Sequence, residues 1–262
     1  MKEKSAFSLL HGLFRRSALQ KAAAVLFALL VWQIGALLIG EELILPSPIS
    51  VLLRLFTIWW EAGILTAIGY SLLRIAAGFF IALALGVLLA VVAGRFPFVE
   101  TLLFPYVAVV KAVPVVSFIV LAYVWMSSRT IAIFISFLIV LPTVYTTLLS
   151  GIKARDEKLE EMADVFAVSP KDRFLYLRLP NLAPYITSSV SLGAGLAWKS
   201  GVAAEIIAIS SRSIGGLLYN ASLEMRNVDL FTLTAILVLV SILFEKLLTF
   251  LLKLGFRRLW QK

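Results

Sequence analysis

Cysteine is absent from this chain, and histidine occurs once, at His11. No disulfide, thiolate metal site or cysteine nucleophile is available, and most metal and imidazole general-base chemistry goes with them. Charge is scarce as well. Asp, Glu, Lys and Arg make up 15% of the 262 residues, 61% are hydrophobic, and mean hydropathy is +0.99. A soluble domain is nearer roughly 45–50% apolar. The alternation of apolar and polar residues that marks a membrane β-barrel is missing too. What remains is an all-α membrane protein, because lipid offers backbone groups no partners and a spanning run must satisfy its own hydrogen bonds as helix. His11, in the polar N-terminal stretch, reads as a solvated or headgroup-level side chain. The net charge of +9 is no argument for nucleic acid here, since in a membrane protein the distribution of charge carries the information.

A helix of roughly 20 apolar residues spans the hydrocarbon core. Six runs fit. Ala22–Gly40 follows Lys2, Lys4, Arg15, Arg16 and Lys21, like the basic start of a signal peptide. Its apolar run exceeds the roughly 7–15 residues of a signal core, and no small-x-small cleavage site follows, so an uncleaved first helix is expected. Ile75–Gly94 is the second span. Between the two, Ile44–Pro48 ("ILPSP") reads as a turn, and Ile49–Gly63, with Arg54, Glu61, Trp59 and Trp60, as a helix lying at the interface. The third span is Ala112–Met126, extended backward past Lys111. Ile131–Leu149, kinked at Pro142, is the fourth, Leu182–Ile209 the fifth and Leu230–Leu252 the sixth. With the N-terminus inside, residues 1–21, 95–99, 151–180 and 253–262 are cytoplasmic and hold sixteen Lys and Arg, against four in the outer segments. That is the asymmetry of the positive-inside rule. The organisation expected is an N-terminal part (1–66), a membrane-spanning core (67–252) and a basic tail (253–262).

One stretch is out of keeping with the rest. Glu160–Pro180, "EEMADVFAVSPKDRFLYLRLP", packs Glu160, Glu161, Asp164 and Asp172 together with Lys171, Arg173 and Arg178. The segment 151–180 reads as two short helices. One runs from about Asp156 to Phe166, with acids at its positive end. The other is capped by Ser169, has Pro170 at its first position and Asp172 in capping-box register, and ends before Pro180. A helix of about ten residues is marginal alone in water, so it needs a surface to dock on. Phe174, Leu177 and Arg178 lie at helical neighbours' spacing.

Here the chain resembles the integral-membrane permeases of binding-protein-dependent ABC importers, whose cytoplasmic signature is Glu-Ala-Ala, three residues, Gly, nine residues, Ile-x-Leu-Pro. This chain has Glu161-Met162-Ala163, three residues, Ala167, nine residues, then Leu177-Arg178-Leu179-Pro180. Met162, Ala167 and Leu177 depart from the pattern. Alanine in place of the glycine costs about 1 kcal/mol if the turn is left-handed. "LPSPISVL", "SLLRIAAGF", "GLAWKSGVAAEIIA" and "SIGGLLYNA" are similar to the nitrate/sulfonate/taurine-type branch. The resemblance implies the type I (MetI-like) permease fold, with six transmembrane helices and both termini cytoplasmic. It implies that 151–180 couples the spans to a separate ATPase through contacts at Glu161, Ala163, Ala167, Phe174, Leu177, Arg178, Leu179 and Pro180. A homodimer, two ATP-binding cassette subunits and an extracytoplasmic solute-binding protein follow as expected partners, in a bacterial inner or plasma membrane. No cofactor is expected in this chain, ATP and Mg being held by the ATPase. Similar permeases serve nitrate, taurine, alkanesulfonates and pyrimidine-type thiamine precursors, so the solute stays open.

"GAGLAWKS" (Gly193–Ser200) has the outline of a phosphate-binding loop, but Trp198 stands where the second glycine is needed and no strand precedes it. The chain is therefore expected to lack an ATPase site of its own. Charges inside the spans are costly and generally face protein or water. Lys199 and Glu205, six residues apart, lie roughly 120° apart around a helix and are not a self-contained pair. Lys199, Glu205, Trp198 and Lys111 are the candidates for a translocation pathway, with Lys199 favouring anions; Arg74 is a weaker one. Lys199 as a snorkelling or structural cation is the alternative. Among other functions, an ion-gradient-driven carrier would show inverted repeats and broken helices with ion sites. An intramembrane enzyme would need a Ser/His, paired-carboxylate or metal set, none of which is evident. A scaffold would not move solute.

Overall fold

The structure, a computed structural model, describes residues 2–260, with side chains from Leu19 to Leu259. The His11 reading and the side chains of the basic residues from Lys2 to Arg16 lie outside the described residues. Every regular element is helical: α1 (Lys2–Ile39), α2 (Pro48–Thr57) with a 3₁₀ turn at Ile58–Trp60, α3 (Ile64–Arg95), α4 (Pro97–Ala112), α5 (Val115–Trp125), α6 (Ile131–Lys153), α7 (Glu157–Val165), α8 (Pro170–Asp172) running through a π-helical turn at Arg173–Arg178 into α9 (Leu179–Ile207), then α10 (Ile214–Leu223) and α11 (Asn227–Trp260).

Two compact units share the chain. The first comprises residues 1–61 and 221–234. Its α2 starts one residue before the expected Ile49, with Ser47 accepting the Ser50 amide and Pro48 in the first turn rather than in the preceding loop. Leu52, Leu53, Phe56 and Trp60 stay exposed, which suits a helix lying at the membrane surface. Arg54 donates to Asp229 and Glu61, and Asp229 also accepts from Arg226. Trp32 donates to the Pro46 carbonyl (3.1 Å), and its ring lies 5.6 Å from that of Phe231.

The second unit comprises 62–220 and 235–262. Its centre is α6, packed between α3 and α9. In lipid there is little hydrophobic drive between helices, so close packing of small residues does the work. Gly78 of α3 lies where a methyl group would collide with the Ile133 carbonyl and come within 2.9 Å of Ser136 Cβ; Gly86, two turns on, lies against Val144. Ile75, Phe79, Ala82, Ile135 and Val140 are sealed at this seam. From the same seam Ser136 also reaches α9, donating to the Ala197 carbonyl (3.1 Å).

Among the described residues four helices are long and apolar enough to cross a membrane: Leu19–Ile39, Ile64–Arg95, Ile131–Lys153 and Asn227–Leu259. The helix carrying the second expected span begins eleven residues earlier, at Ile64. The third expected span, Ala112–Met126, is not one helix. It is broken at Val113–Pro114 into α4 and α5, bent by 101°, and counts as one further crossing only if the pair is taken together. Proline drives its predecessor into extended backbone and has no N–H, and Val113 indeed has φ −80°, ψ 131°. The fifth expected span falls on α9, which carries Lys199 and Glu205 and is not apolar enough to count. Its burial within the protein, at Ala194, Ala197, Trp198 and Ala204, takes the place of lipid.

The expected pair of short helices in 151–180 is also corrected. The second does not stop at Leu179: α8, the π turn and α9 run on through Pro180 and Pro184. The π turn explains how. In an α-helix the Pro180 ring would strike the carbonyl four residues back. Here the Leu179 amide bonds to the Phe174 carbonyl, five residues back, which widens the turn just before the proline. At the other end of the chain, the basic tail is helical to Trp260 as part of α11.

Candidate functional site

Two places gather the candidate residues. The first is the polar segment. Asp156 caps α7, its Oδ1 accepting from the amides of Lys158 (3.0 Å) and Leu159 (3.4 Å). Ser169 caps α8, accepting the Asp172 amide (3.2 Å) and donating its hydroxyl to the Asp172 carboxylate (2.7 Å). Between them the chain turns at Ala167, whose φ of 48° is left-handed. The Val168 amide bonds to the Ala163 carbonyl (2.9 Å) and the Ala167 amide to the Asp164 carbonyl (3.0 Å). That is a Schellman stop with alanine in the glycine position. The strain is tolerated, because two hydrogen bonds hold the turn.

An ion pair ties the two legs together. Arg178 donates from Nε and Nη2 to the two Glu160 oxygens, at 2.8 and 2.9 Å. Arg173 adds a hydrogen bond to Asp164 and lies 3.6 Å from Glu160. The Arg178 hydrogen bonds hold the Glu160 carboxyl below its ordinary pKa against the opposing effect of partial burial. Sequence reasoning missed Glu160, because the signature's spacing singled out its neighbour. Of the predicted contacts, Glu161 and Ala167 are exposed, Ala163 is buried, Phe174 is half-exposed, and Leu177, Arg178, Leu179 and Pro180 are half-buried. Arg178 is engaged inside the segment. Also missed were Val165 and Phe166, 81% and 75% exposed at the tip of the turn; an apolar pair ending a polar helix was the available signal.

The second place is a cavity of about 330 Å³ at the α4–α5 break, lined by Lys111, Val113, Thr143, Leu196, Lys199 and Ser200 among others. Lys111, in the last turn of α4, donates to Thr146 Oγ1 (3.0 Å). No described group hydrogen-bonds or ion-pairs with Lys199, and no carboxylate lines the cavity. Broken helices are tolerated at membrane depth where they line such cavities, and this lining carries two ammonium groups, of which Lys111 has Thr146 as its partner.

Trp198 and Glu205 are not brought to it. Trp198 is buried against Phe244, ring centroids 6.1 Å apart. Glu205 is fully buried and accepts from Ser71 Oγ (2.7 Å) and the Gly215 amide (3.2 Å), with Arg74 Nη1 3.8 Å away. Ser71 also accepts the Ile214 amide (2.9 Å), and Arg74 donates to Ser210 (2.9 Å). Glu205 thus fastens the start of α10 to α3. Arg74 belongs to this fastening, not to a span end free to reach headgroups.

The family model described as "Binding-protein-dependent transport system inner membrane component" matches residues 82–261. The chain belongs to that family. It is 28% identical over 237 residues to the taurine transport system permease protein TauC of Escherichia coli, covering 88% of this chain and 83% of that protein. Similarity to the nitrate import permease protein NrtB of Synechococcus elongatus is 28% over 202 residues, 73% of this chain and 71% of the other. A Bacillus subtilis protein provisionally named an aliphatic sulfonates transport permease, SsuC, is 27% identical over 193 residues, 73% of this chain and 70% of that protein. This binding-protein-dependent permease is therefore a multi-pass protein of the bacterial plasma membrane, of the nitrate, sulfonate and taurine branch. Its Gly193–Ser200 stretch lies inside α9, where backbone amides are spent on helix and form no phosphate cradle.

Proposed function

We propose that the chain crosses the membrane six times, with both termini cytoplasmic, and forms the pathway of an ATP-driven importer for a small anion of the sulfonate or nitrate kind. In this reading α9 and the α4–α5 pair each count as a crossing, and two copies face each other. Two ATP-binding cassette subunits dock from the cytoplasm, and a solute-binding protein delivers from the other side. The observation that carries the coupling half is the exposure of Val165 and Phe166 beside Glu161, on a hairpin braced by Glu160 and Arg178. Such an apolar tip on a cytoplasmic segment calls for a partner to cover it. The solute half rests on the cavity that holds Lys111 and Lys199 and no carboxylate.

The test is co-purification and ATP-dependent uptake in the assembled transporter. Glu161→Arg is expected to release the ATPase while leaving the permease in the membrane. Phe166→Asp should do the same. Lys111→Met and Lys199→Met should each lower uptake of anionic solute at least tenfold with ATPase association intact. Retained ATPase binding in Glu161→Arg and Phe166→Asp refutes the coupling assignment; uptake undiminished in both lysine variants refutes the pathway.

A further inference from the structure

A second cavity, about 540 Å³, opens where α3 and α6 end and the polar segment begins. Arg95 reaches it from the last turn of α3, Arg155 from the loop between α6 and α7, and Arg178 from the π turn, with Asp156 and Glu160 as the acids. The charges do not cancel locally. Glu160 is saturated by Arg178, and Asp156 is taken up as the cap of α7. Neither Arg95 nor Arg155 forms a close ion pair among the described residues; Arg155 acts on Glu160 only at longer range, and Arg95 lies over the Phe96 ring at 5.9 Å. The Arg155 loop is held in place, since Asn181 Nδ2 donates to the Ala154 carbonyl (3.0 Å). Val91, Ile152 and Leu182 supply an apolar wall beside the guanidinium groups.

Three guanidinium groups against two carboxylates leave the cavity net positive, with Arg95 and Arg155 at its exposed rim, and such a lining attracts an anion. The planar guanidinium fork suits phosphate oxygens, which it can bind with two parallel hydrogen bonds. The apolar wall suits the glycerol and upper acyl carbons of a lipid. We propose that this cavity binds a phosphate-bearing anion between Arg95 and Arg155, either the headgroup of a cytoplasmic-leaflet phospholipid or free phosphate. The occupant ties the ends of α3 and α6 to the segment carrying Glu160 and Arg178, so it stiffens the link between spans and segment. The stiffening rests on the coupling reading above; the binding does not.

The experiment measures thermal unfolding of the purified full-length permease in phosphate-free detergent buffer. Inorganic phosphate is titrated in one arm; phosphatidylglycerol or phosphatidylcholine is added in the others. At ten times the dissociation constant the midpoint should rise by about 3–6 °C, and the rise should vanish in Arg95→Gln and Arg155→Gln but persist in Arg129→Gln, which lies outside the cavity. A rise with phosphatidylglycerol alone identifies a lipid headgroup; a rise with phosphate alone identifies the free anion. No rise in the wild type, or an undiminished rise in both variants, overturns the proposal. Should a variant not purify, phenylglyoxal labelling of the wild type decides. Arg95 and Arg155 must be protected by the anion while Arg129 is not, and equal labelling with and without anion overturns the site. Because both readouts are of binding, their failure leaves the transport reading standing, and a failure of transport leaves theirs.

Discussion

At Ala167 the backbone has φ 48°, and the amides of Ala167 and Val168 close the turn that separates the two legs of the polar segment. For an L-residue the left-handed conformation costs about 1–2 kcal/mol, and for glycine almost nothing. Glycine has more freedom to lose on folding, which offsets about 0.4–1 kcal/mol. Ala167→Gly should therefore favour the closed turn by about 0.5–1 kcal/mol net, a factor of about 2–5 in the local opening equilibrium. Hydrogen exchange followed by mass spectrometry on the purified permease reads this directly: the Ala167 and Val168 amides should exchange about 2–5 times more slowly. Ala167→Val should go the other way, since a β-branched side chain is a worse occupant of this region. Exchange in Ala167→Gly as fast as in the wild type, with the rest of the chain unchanged, would falsify the account of a strained alanine held by two hydrogen bonds.

Other expectations follow from equally local geometry. Gly78→Ala should destabilise by about 1–3 kcal/mol through overpacking against the Ile133 backbone, lowering the unfolding midpoint in detergent; an unchanged midpoint refutes the close approach of α3 and α6. Because the Glu160 pKa is lowered in the folded state, its contribution is complete above the unfolded value of about 4.3 and is lost as pH falls through the lowered value. Proteolysis of the polar segment 151–180 should accordingly accelerate below about pH 4 in the wild type, whereas Glu160→Gln should be looser at pH 7 and lack that step. Arg74→Met leaves the buried Glu205 without its cation and should cost about 3–5 kcal/mol; Arg74→Met with Glu205→Gln should recover part of this, and simple additivity of the two losses would show that the pair is not coupled.

Much of this protein was legible from residue type alone. Lipid leaves the backbone one economical choice, so a chain 61% hydrophobic with no alternating pattern had to be helical. The caps at Ser47, Asp156 and Ser169 are local events, set by side chains that reach amides two or three residues on. The spacing from Glu161 to Pro180 pointed to the family, which the match over residues 82–261 bears out.

What the sequence left undecided were matters of partnership. The family spacing singled out Glu161, which is exposed, and nothing in the order of residues marked Glu160 as the acid that braces the segment. Lys111 and Lys199 are 88 residues apart, and only the break at Pro114 brings both to one cavity. Trp198 and Glu205, read as equals of Lys199 on the same helix, turn instead to Phe244 and to Ser71 with Gly215. Pro180 read as a stop, and only the π turn lets the helix pass it. Local rules fixed which segments are helices and how they begin. Which face of each helix meets protein, cavity or lipid depends on neighbours far along the chain, and that was decided by packing.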